Sequence, residues 1–296
     1  MEVMRRAEGA ARLGRWVLGE RRVPTPCVMS WVFPGAPGGE VHVAPAWVRT
    51  SRRPLVVHHG VLRSTSLRGG GELGLLPQAS ARLSSFRGVV ERWAEGVLAL
   101  GEAYPESGVM LDGWHFPELW RRVAERFRSR CMLGIAHAGE LCTKPRLLVT
   151  AVTEVRELAS TGTVLYLPGV PPHFMPLLAL MGVDVFDDAY AAGAALSGIY
   201  LSPAGEHHLR SLGELPCRCP ECRSAEEGSR MSLRALLRHN IGVVRSMLAE
   251  VRAAMRQRRL CELAEAQANL SVEAKAALRV LYRERQDFLQ RYHPVA

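Results

Sequence analysis

The sequence predicts an α/β protein in which short buried strands alternate with amphipathic helices, followed by a cysteine-bearing segment and further helices. The first observation is the alternation: helical spacing of apolar residues over 86–104 and 117–130 is followed each time by a short apolar run, at 108–113 and 131–136. The second is a change of composition after Tyr200, where polar residues and closely spaced cysteines replace these apolar runs. Strands that alternate with helices form parallel sheets or barrels, so we expect one of these two architectures before that point.

The other predicted elements continue this pattern on both sides. Strands are expected at 11–18, 23–33 and 54–60, with a turn at 19–22, and then at 146–152, 163–170 and 183–187, with helices at 153–160 and 171–182 between them. A glycine-rich loop at 68–77 lacks the GK[ST] ending of a phosphate-binding P-loop. One long amphipathic helix is predicted over Ser232–Arg258, and another opens at the N-cap residue Ser271 and ends before Pro294.

The charge balance favours an anionic partner. The chain has 296 residues, 48% of them hydrophobic, and its net charge of +9 comes mainly from arginine, whose guanidinium group binds phosphate in a bidentate way. Nucleic acid is the leading candidate, while an arginine-rich coding bias would explain the charge equally well. No stretch of about 18 apolar residues and no secretory leader occurs, so we expect a cytoplasmic protein without a membrane partner.

A cluster of cysteines predicts a metal site. CRCPEC at 217–222 crowds three thiols together, and a histidine follows on the predicted long helix. The candidate ligands are Cys217, Cys219, Cys222 and His239. Four sulfur and nitrogen ligands suit a tetrahedral, structural zinc ion with no open coordination position. The alternatives are three reduced cysteines with a core histidine, or a different histidine ligand, since His207 and His208 also lie nearby.

Several motifs in order resemble the tRNA-guanine transglycosylase family over nearly the whole chain. They are GAARLG, VPTP, LYLPGV, GVDVFDDA, GIYLSP, ELPCRCPEC and RHN. Within the family, the transglycosylase-like amino-terminal part of the archaeosine synthases is the most similar. The resemblance implies a modified TIM barrel over 1–203, with a zinc-binding subdomain and carboxyl-terminal helices over 204–296. Residues 24–203 are few for eight strand–helix units, which usually need about 250 residues, so the barrel is expected to be trimmed or open.

The resemblance also assigns a catalytic aspartate. In active members a DxFD motif supplies the nucleophile that displaces the base from tRNA, and Asp187 in DVFD matches it. Gly169 in LPGV matches the loop that lines the base pocket. The family's general-base motif TDSGxxQ and its pocket motif GxVQGG have no counterpart. A nucleophile alone is not sufficient, because the reaction also needs a proton donor or acceptor at the departing base. Whether the chain is an enzyme therefore stays open at this point.

Three functions follow as alternatives. The favoured one is a non-catalytic or partner-dependent subunit that binds tRNA in the 7-deazaguanine and archaeosine pathway. It would act as a homodimer, or with a separate protein carrying the archaeosine synthase core and PUA domains that this chain lacks. The second is an active base-exchange enzyme, and the third a zinc-stabilised interaction scaffold. The predicted RNA contacts on the long helix are Arg234, Arg238, Arg245 and Arg252.

The sequence gives weaker indications of a function for the other reactive side chains. Asp112 could replace the missing general base or be an ordinary loop carboxylate. One of His58 and His59 could reach a barrel mouth, because neighbouring strand residues point to opposite faces. The pair His137 and Cys142 is interpreted as incidental, since nothing in the sequence orients it. The remaining cysteines are interpreted as core residues: Cys27, Cys131 and Cys261.

Overall fold

The computed structural model describes residues 1–32, 37, 40–45, 55–58, 73–76, 78, 85–203, 205–226 and 231–292. Their strands are β1 (Glu2–Arg6), β2 (Arg12–Leu18), β3 (Arg21–Thr25), β4 (Cys27–Trp31), β5 (Val41–Pro45), β6 (Leu55–His58), β7 (Leu73–Leu76), β8 (Gly108–Leu111), β9 (Met132–Ile135), β10 (Val164–Tyr166), β11 (Val185–Asp187), β12 (Ile199–Ser202) and β13 (Gly205–His208). The helices are α1 (Arg87–Ala103), α2 (Pro117–Arg126), α3 (Ala138–Leu141), α4 (Pro145–Leu158), α5 (Met175–Leu180), α6 (Ala189–Leu196), α7 (Pro220–Glu226), α8 (Leu233–Gln257), α9 (Leu260–Ala268), α10 (Val272–Glu284) and α11 (Gln286–Tyr292).

Strands β4 to β11 form a closed parallel barrel, which confirms the predicted α/β architecture. Each strand pairs with the next along the chain, and β11 returns to β4 through the register Val185↔Cys27. Of the two expected forms, trimmed or open, the barrel is therefore not the open one. The barrel is nevertheless trimmed, because β4 to β7 all lie within 27–76, whereas β8 to β11 extend over 108–187.

A three-stranded antiparallel sheet, β1–β2–β3, covers the amino end of the barrel. Trp16 and Val23 of this sheet are buried in one hydrophobic cluster with inward-facing barrel residues such as Met29. The strand expected over 23–33 is in fact two strands in two sheets, since the chain leaves the antiparallel sheet at Thr25 and enters the barrel at Cys27. A continuous apolar run cannot reveal such a change of sheet.

A buried ion pair connects this sheet to the barrel. The Arg12 guanidinium donates to both carboxylate oxygens of Asp184, at 2.7 and 2.5 Å, and side chains of both residues are at most 7% exposed. Asp184 Oδ2 also accepts the backbone N–H of Leu165, and Arg156 lies 3.6 Å away. Asp184, the first acid of the DVFD motif, therefore holds the amino-terminal sheet against β10 and β11.

Helices cover the outside of the second half of the barrel. The segment 146–152, expected to be a strand, is the first part of α4, which runs from Pro145 to Leu158. Its buried residues Leu148, Val152 and Val155 recur at helical spacing, and Pro145 occupies the first helical turn, where proline is tolerated. The strand was predicted because β-branched residues favour strands, and here helical packing outweighs that preference. None of the helices in the described ranges is long and apolar enough to cross a membrane.

The carboxyl-terminal helices begin where the sequence predicted. The hydroxyls of Ser232 and Ser271 accept from backbone N–H groups three residues later and cap α8 and α10. The second predicted helix is broken at Arg285 into α10 and α11. Side chains of α8 to α11 join the same hydrophobic cluster as α1, α2 and α4, so a division of the chain at 203/204 stays a prediction.

Candidate metal centre and barrel mouth

Three cysteines and one histidine converge beside the amino-terminal half of α8. The ligand atoms of Cys217, Cys219, Cys222 and His239 all lie within 4.8 Å of one another. His239 Nδ1 is 3.5 Å from Cys219 Sγ and 3.4 Å from Cys222 Sγ. A tetrahedral ion with bonds of about 2.3 Å to sulfur and about 2.0 Å to nitrogen separates such atoms by about 3.5 Å, so the cluster fits a metal ion. His207 and His208 lie outside it, on β13.

The surroundings of His239 fix the direction of its ring. Its Nε2 atom hydrogen-bonds the carbonyl of Leu201 at 2.8 Å, so Nδ1 is the atom presented to the thiols. The ring stacks on Tyr200 with centroids 4.0 Å apart, and the Tyr200 hydroxyl lies 3.3 Å from Cys222 Sγ. Burial lowers the pKa of His239, which favours the neutral imidazole that metal coordination requires. A hydrogen bond from the second ring nitrogen to a carbonyl is the usual support of a histidine ligand.

Asp187 lies at the carboxyl end of β11 and is surrounded by hydrogen-bond donors. Its Oδ2 accepts the Tyr166 hydroxyl at 2.6 Å and Trp31 Nε1 at 2.8 Å. Its Oδ1 accepts the backbone N–H groups of Gly169 at 2.8 Å and Ala189 at 3.1 Å. A carboxylate offers about four acceptor positions, so these four donors occupy all of them. Asp187 is also buried, at 1% exposure.

The neighbouring carboxylate differs in its environment. Asp188 Oδ1 accepts the Trp31 backbone N–H at 2.8 Å, the Ser30 side chain is a further hydrogen-bonding neighbour, and the buried Oδ2 atom makes no bond with any described residue. Burial and the adjacent Asp187 raise the pKa of Asp188 to about 7, against the lowering effects of the Trp31 N–H, Arg245 and Ser30. Burial also raises the pKa of Asp187, while its four donors oppose that shift.

Asp112 and His137 form a pair at two adjacent strand ends. Asp112 follows β8, His137 lies two residues beyond β9, and Asp112 Oδ2 is 3.0 Å from His137 Nε2. Asp112 Oδ1 accepts the N–H of Gly113 at 2.6 Å. Cys142 is buried in the next turn, where burial raises the pKa of its thiol to about 12, so it is a poor nucleophile. His137 therefore has a carboxylate partner that sequence reasoning missed.

Two of the four predicted RNA-binding arginines make contacts within the protein, at the amino-terminal sheet and at β4. Arg252 donates to the carbonyls of Pro26 and Pro24, at 2.7 and 3.0 Å. Arg245 donates to the Ser30 hydroxyl at 3.2 Å. The other two, Arg234 and Arg238, are exposed at the start of α8.

The remaining cysteines differ in their burial. Cys27 is buried as expected, and Cys261 is half-buried against the hydrophobic core, but Cys131 is exposed, so the interpretation of Cys131 as a core residue is wrong. Cys131 precedes β9 at the amino end of the strand, where its thiol donates to the Glu106 carbonyl at 3.4 Å. His59 and the side chain of His58 lie outside the described residues.

Comparison with known proteins gives one family and a set of longer relatives. A family model described as queuine tRNA-ribosyltransferase matches residues 91–271. The chain is 29% identical over 288 residues to archaeosine synthase subunit alpha of Methanosarcina acetivorans, covering 92% of this chain and 44% of that protein. It is 38% identical over 118 residues to archaeosine synthase of Haloferax volcanii, covering 40% and 20%. It is 34% identical over 132 residues to tRNA-guanine(15) transglycosylase of Thermococcus onnurineus, covering 42% and 22%. The chain thus spans less than half the length of these relatives.

Proposed function

Because this chain belongs to the queuine tRNA-ribosyltransferase family, we propose that it is a tRNA-binding subunit of tRNA modification that does not exchange bases by itself. Its relatives are named archaeosine synthases and tRNA-guanine(15) transglycosylases, which supports a role in the archaeosine pathway. The partner would be a protein that carries what the longer relatives have beyond the matched region. A homodimer and a cytoplasmic location remain predictions.

The observation that carries the proposal is the saturation of Asp187. A carboxylate attacks a ribose carbon through an oxygen lone pair, and here Tyr166, Trp31, Gly169 and Ala189 occupy the acceptor positions. Reaching the nucleophilic state would require at least one of these bonds to break inside a buried site. The Gly169 N–H, which the family pattern assigns to the base pocket, is directed at Asp187.

Exchange of labelled guanine into tRNA tests the proposal directly. The purified chain should incorporate no label above the level of an Asp187→Asn variant, because the nucleophile-equivalent group is already fully hydrogen-bonded. Tyr166→Phe serves as the matched variant, since it removes one donor from Oδ2 without changing the size of the ring. Robust incorporation by the wild type that Asp187→Asn abolishes would overturn the proposal.

The second candidate function is an active base-exchange enzyme. It is favoured by the position of Asp187, at the carboxyl end of the last barrel strand, where catalytic groups of this fold collect. A zinc-stabilised scaffold without RNA is the third candidate, and failure to bind tRNA would favour it.

The metal of this subunit would be one structural Zn²⁺. Three thiolates and an imidazole form a ligand set that zinc accepts in tetrahedral geometry, and four protein ligands leave no position for a substrate. The ion would hold the 217–222 segment against α8. Its role would be stability, since it lies on the barrel's flank and none of its ligands belongs to a barrel strand.

Contact with tRNA is proposed for the exposed start of α8. Arg234 and Arg238 lie one helical turn apart beside the metal-binding segment and can neutralise phosphates. The interior contacts of Arg245 and Arg252 instead support a role in holding α8 on β4, so their place in RNA binding is the weaker half of the prediction.

A further inference from the structure

A cavity of about 260 Å³ lies on the flank of the barrel, between the β12–β13 hairpin, α8 and the metal-binding segment. Its apolar wall includes Pro172, Leu201, Val243 and Met247, and one side of it is open to solvent. Pockets for cofactors and drug-sized ligands usually measure about 300–1,000 Å³. This cavity is therefore small for a nucleotide but large enough for one long side chain.

A glycine in the interior of α8 keeps part of this cavity free. Gly242 belongs to the cavity wall, within a helix of 25 residues in which glycine is less favourable than alanine. A Cβ atom at Gly101 of α1 would lie 2.1 Å from Phe127, so the fold itself requires glycine there. A Cβ atom at Gly242 would have no described atom within 4 Å. Internal packing does not explain this glycine, whereas close approach of another molecule to the helix backbone does.

The cavity wall is acidic, although the chain as a whole has a net charge of +9. It contains the carboxylates of Glu206, Glu221 and Glu250, and one cation among its described residues, Arg238. Glu221 and Glu250 form no ion pair within the described part of the chain, and Glu206 accepts the neutral Tyr190 hydroxyl. The local charge is thus opposite in sign to that of the whole chain, and it favours a cationic occupant.

An apolar wall with carboxylates suits a side chain that has an aliphatic stem and a cationic end. Arginine fits better than lysine, because its guanidinium fork binds carboxylates in a bidentate way and is more weakly hydrated. RNA is disfavoured, since the carboxylates repel its phosphates. Gln267 also lines the cavity, and its buried Oε1 atom has no hydrogen-bond partner among the residues described. A donor that enters the cavity can supply that partner.

We propose that this cavity is the docking site for an arginine side chain of a partner protein. The aliphatic stem would pack on the wall at Gly242, and the guanidinium group would pair with the carboxylates. The inference rests on the proposed function, in that the chain acts together with another protein, and it names the surface that this protein contacts. The site is separate from Asp187 and from the barrel mouth.

Calorimetric titration of the full chain tests this inference with three small probes. They are N-acetyl-arginine methylamide, the corresponding lysine compound and the uncharged citrulline compound. We expect saturable binding of the arginine probe, weaker binding of the lysine probe and none of the citrulline probe. Glu206→Gln combined with Glu250→Gln should weaken binding of the arginine probe about tenfold. Glu125→Gln, at an exposed carboxylate of α2, removes one charge outside the cavity and should leave the affinity unchanged.

The Gly242→Leu variant separates occupation of the cavity from loss of the fold. Its side chain should fill the cavity and abolish binding of the arginine probe. Its melting temperature should rise, because a glycine is removed from a helix interior. Unchanged affinity in this variant, equal binding of the citrulline probe or no saturable binding by the wild type would overturn the inference.

Sedimentation and tRNA binding distinguish the remaining outcomes. Self-association of the wild type that Gly242→Leu abolishes would also overturn the inference, because the occupant would then be a second copy of this chain. tRNA binding is measured separately by filter retention. A chain that binds tRNA but not the arginine probe refutes this inference alone, and one that binds the probe but no tRNA refutes only the proposed function.

Discussion

Asp187→Asn should destabilise the protein, because Asp187 is a hydrogen-bond centre of the strand ends. An amide nitrogen facing the Gly169 and Ala189 N–H groups loses both of those bonds. One facing Tyr166 and Trp31 loses the Trp31 bond, the Tyr166 hydroxyl must turn to accept, and every remaining bond is to a neutral group. Each bond to a charged group contributes about 1.5–3 kcal/mol. Burial already penalises the carboxylate, and relief of that penalty offsets part of the loss. We expect the free energy of unfolding to fall by about 2–4 kcal/mol, the net of these terms.

Asp188→Asn is the matched control, since it removes the next carboxylate at similar burial. The Trp31 N–H and the Ser30 side chain that neighbour Asp188 can also bond an asparagine oxygen, and Asp188 Oδ2 makes no bond with described residues. Urea unfolding at pH 8 should therefore show Asp188→Asn unchanged or stabilised by about 1 kcal/mol. The free energies of unfolding of the two variants should then differ by several kcal/mol, with Asp187→Asn the less stable.

The pH dependence of the control follows from its raised pKa. The folded value of about 7 lies above the ordinary value of 3.8, so the folded protein binds the Asp188 proton more tightly than the unfolded chain does. Its stabilising contribution is full below pH 4 and is lost as the pH rises through 7. The charged groups that face it are Asp187 and Arg245, and only Arg245 favours ionisation. The wild type should lose stability between pH 4 and 8 relative to Asp188→Asn.

If Asp187→Asn unfolds at the same urea concentration as Asp188→Asn at pH 8, the four donors do not stabilise the fold. The carboxylate would then be available for chemistry, and the main argument against base exchange would be lost.

Three further predictions concern the metal, RNA and the ion pair. The purified protein should bind one Zn²⁺ per chain by metal analysis, and Cys219→Ala should lose it while Cys131→Ala, outside the cluster, retains it. Replacing Arg234 and Arg238 with glutamine should reduce the log–log salt slope of tRNA affinity by about 0.9 per lost contact in filter binding. Arg12→Met should lower the free energy of unfolding by about 3–5 kcal/mol in urea, because it leaves a buried carboxylate without its main partner.

Each of these has a contrary result. A folded, zinc-free wild type would exclude the metal site, as would full occupancy in Cys219→Ala. An unchanged salt slope would move the RNA contacts away from the start of α8. An Arg12→Met protein as stable as the wild type would mean that the ion pair only compensates its own desolvation.

The convergence of the candidate metal ligands was predictable because most of them are close together in the sequence. Three thiols within six residues leave few alternatives to a metal site, and a histidine on the following helix supplies a fourth ligand. The choice of His239 over His207 was less certain from sequence. In the structure it depends on Leu201, whose carbonyl fixes the ring, and on the packing of α8 against β12. Spacing along the chain contains no information about such a contact.

The surroundings of Asp187 could not be predicted in the same way. Trp31 and Tyr166 approach it from the ends of the two strands that flank β11, and Trp31 is 156 residues distant in sequence. Only the closed order of strands brings β4 beside β11. The helical pattern of α8 was predicted correctly. The contacts of Arg245 and Arg252 were not predictable, because arginines next to an apolar stripe can either contact solvent or reach polar groups at its border.

Helix α8 connects the thiol cluster to Trp31, so Trp31 would report on a metal ion bound there. At one end of the helix His239 belongs to the thiol cluster, and near its middle Arg245 bonds Ser30, the residue before Trp31. The Trp31 indole in turn donates to Asp187. Removal of the metal by a chelator would loosen the start of α8, and the helix would transmit the displacement along its rigid axis to the indole. The difference in tryptophan emission between the wild type and Trp31→Phe would then report loss of the metal ion, although the indole lies at the barrel mouth and the ion on the barrel's flank.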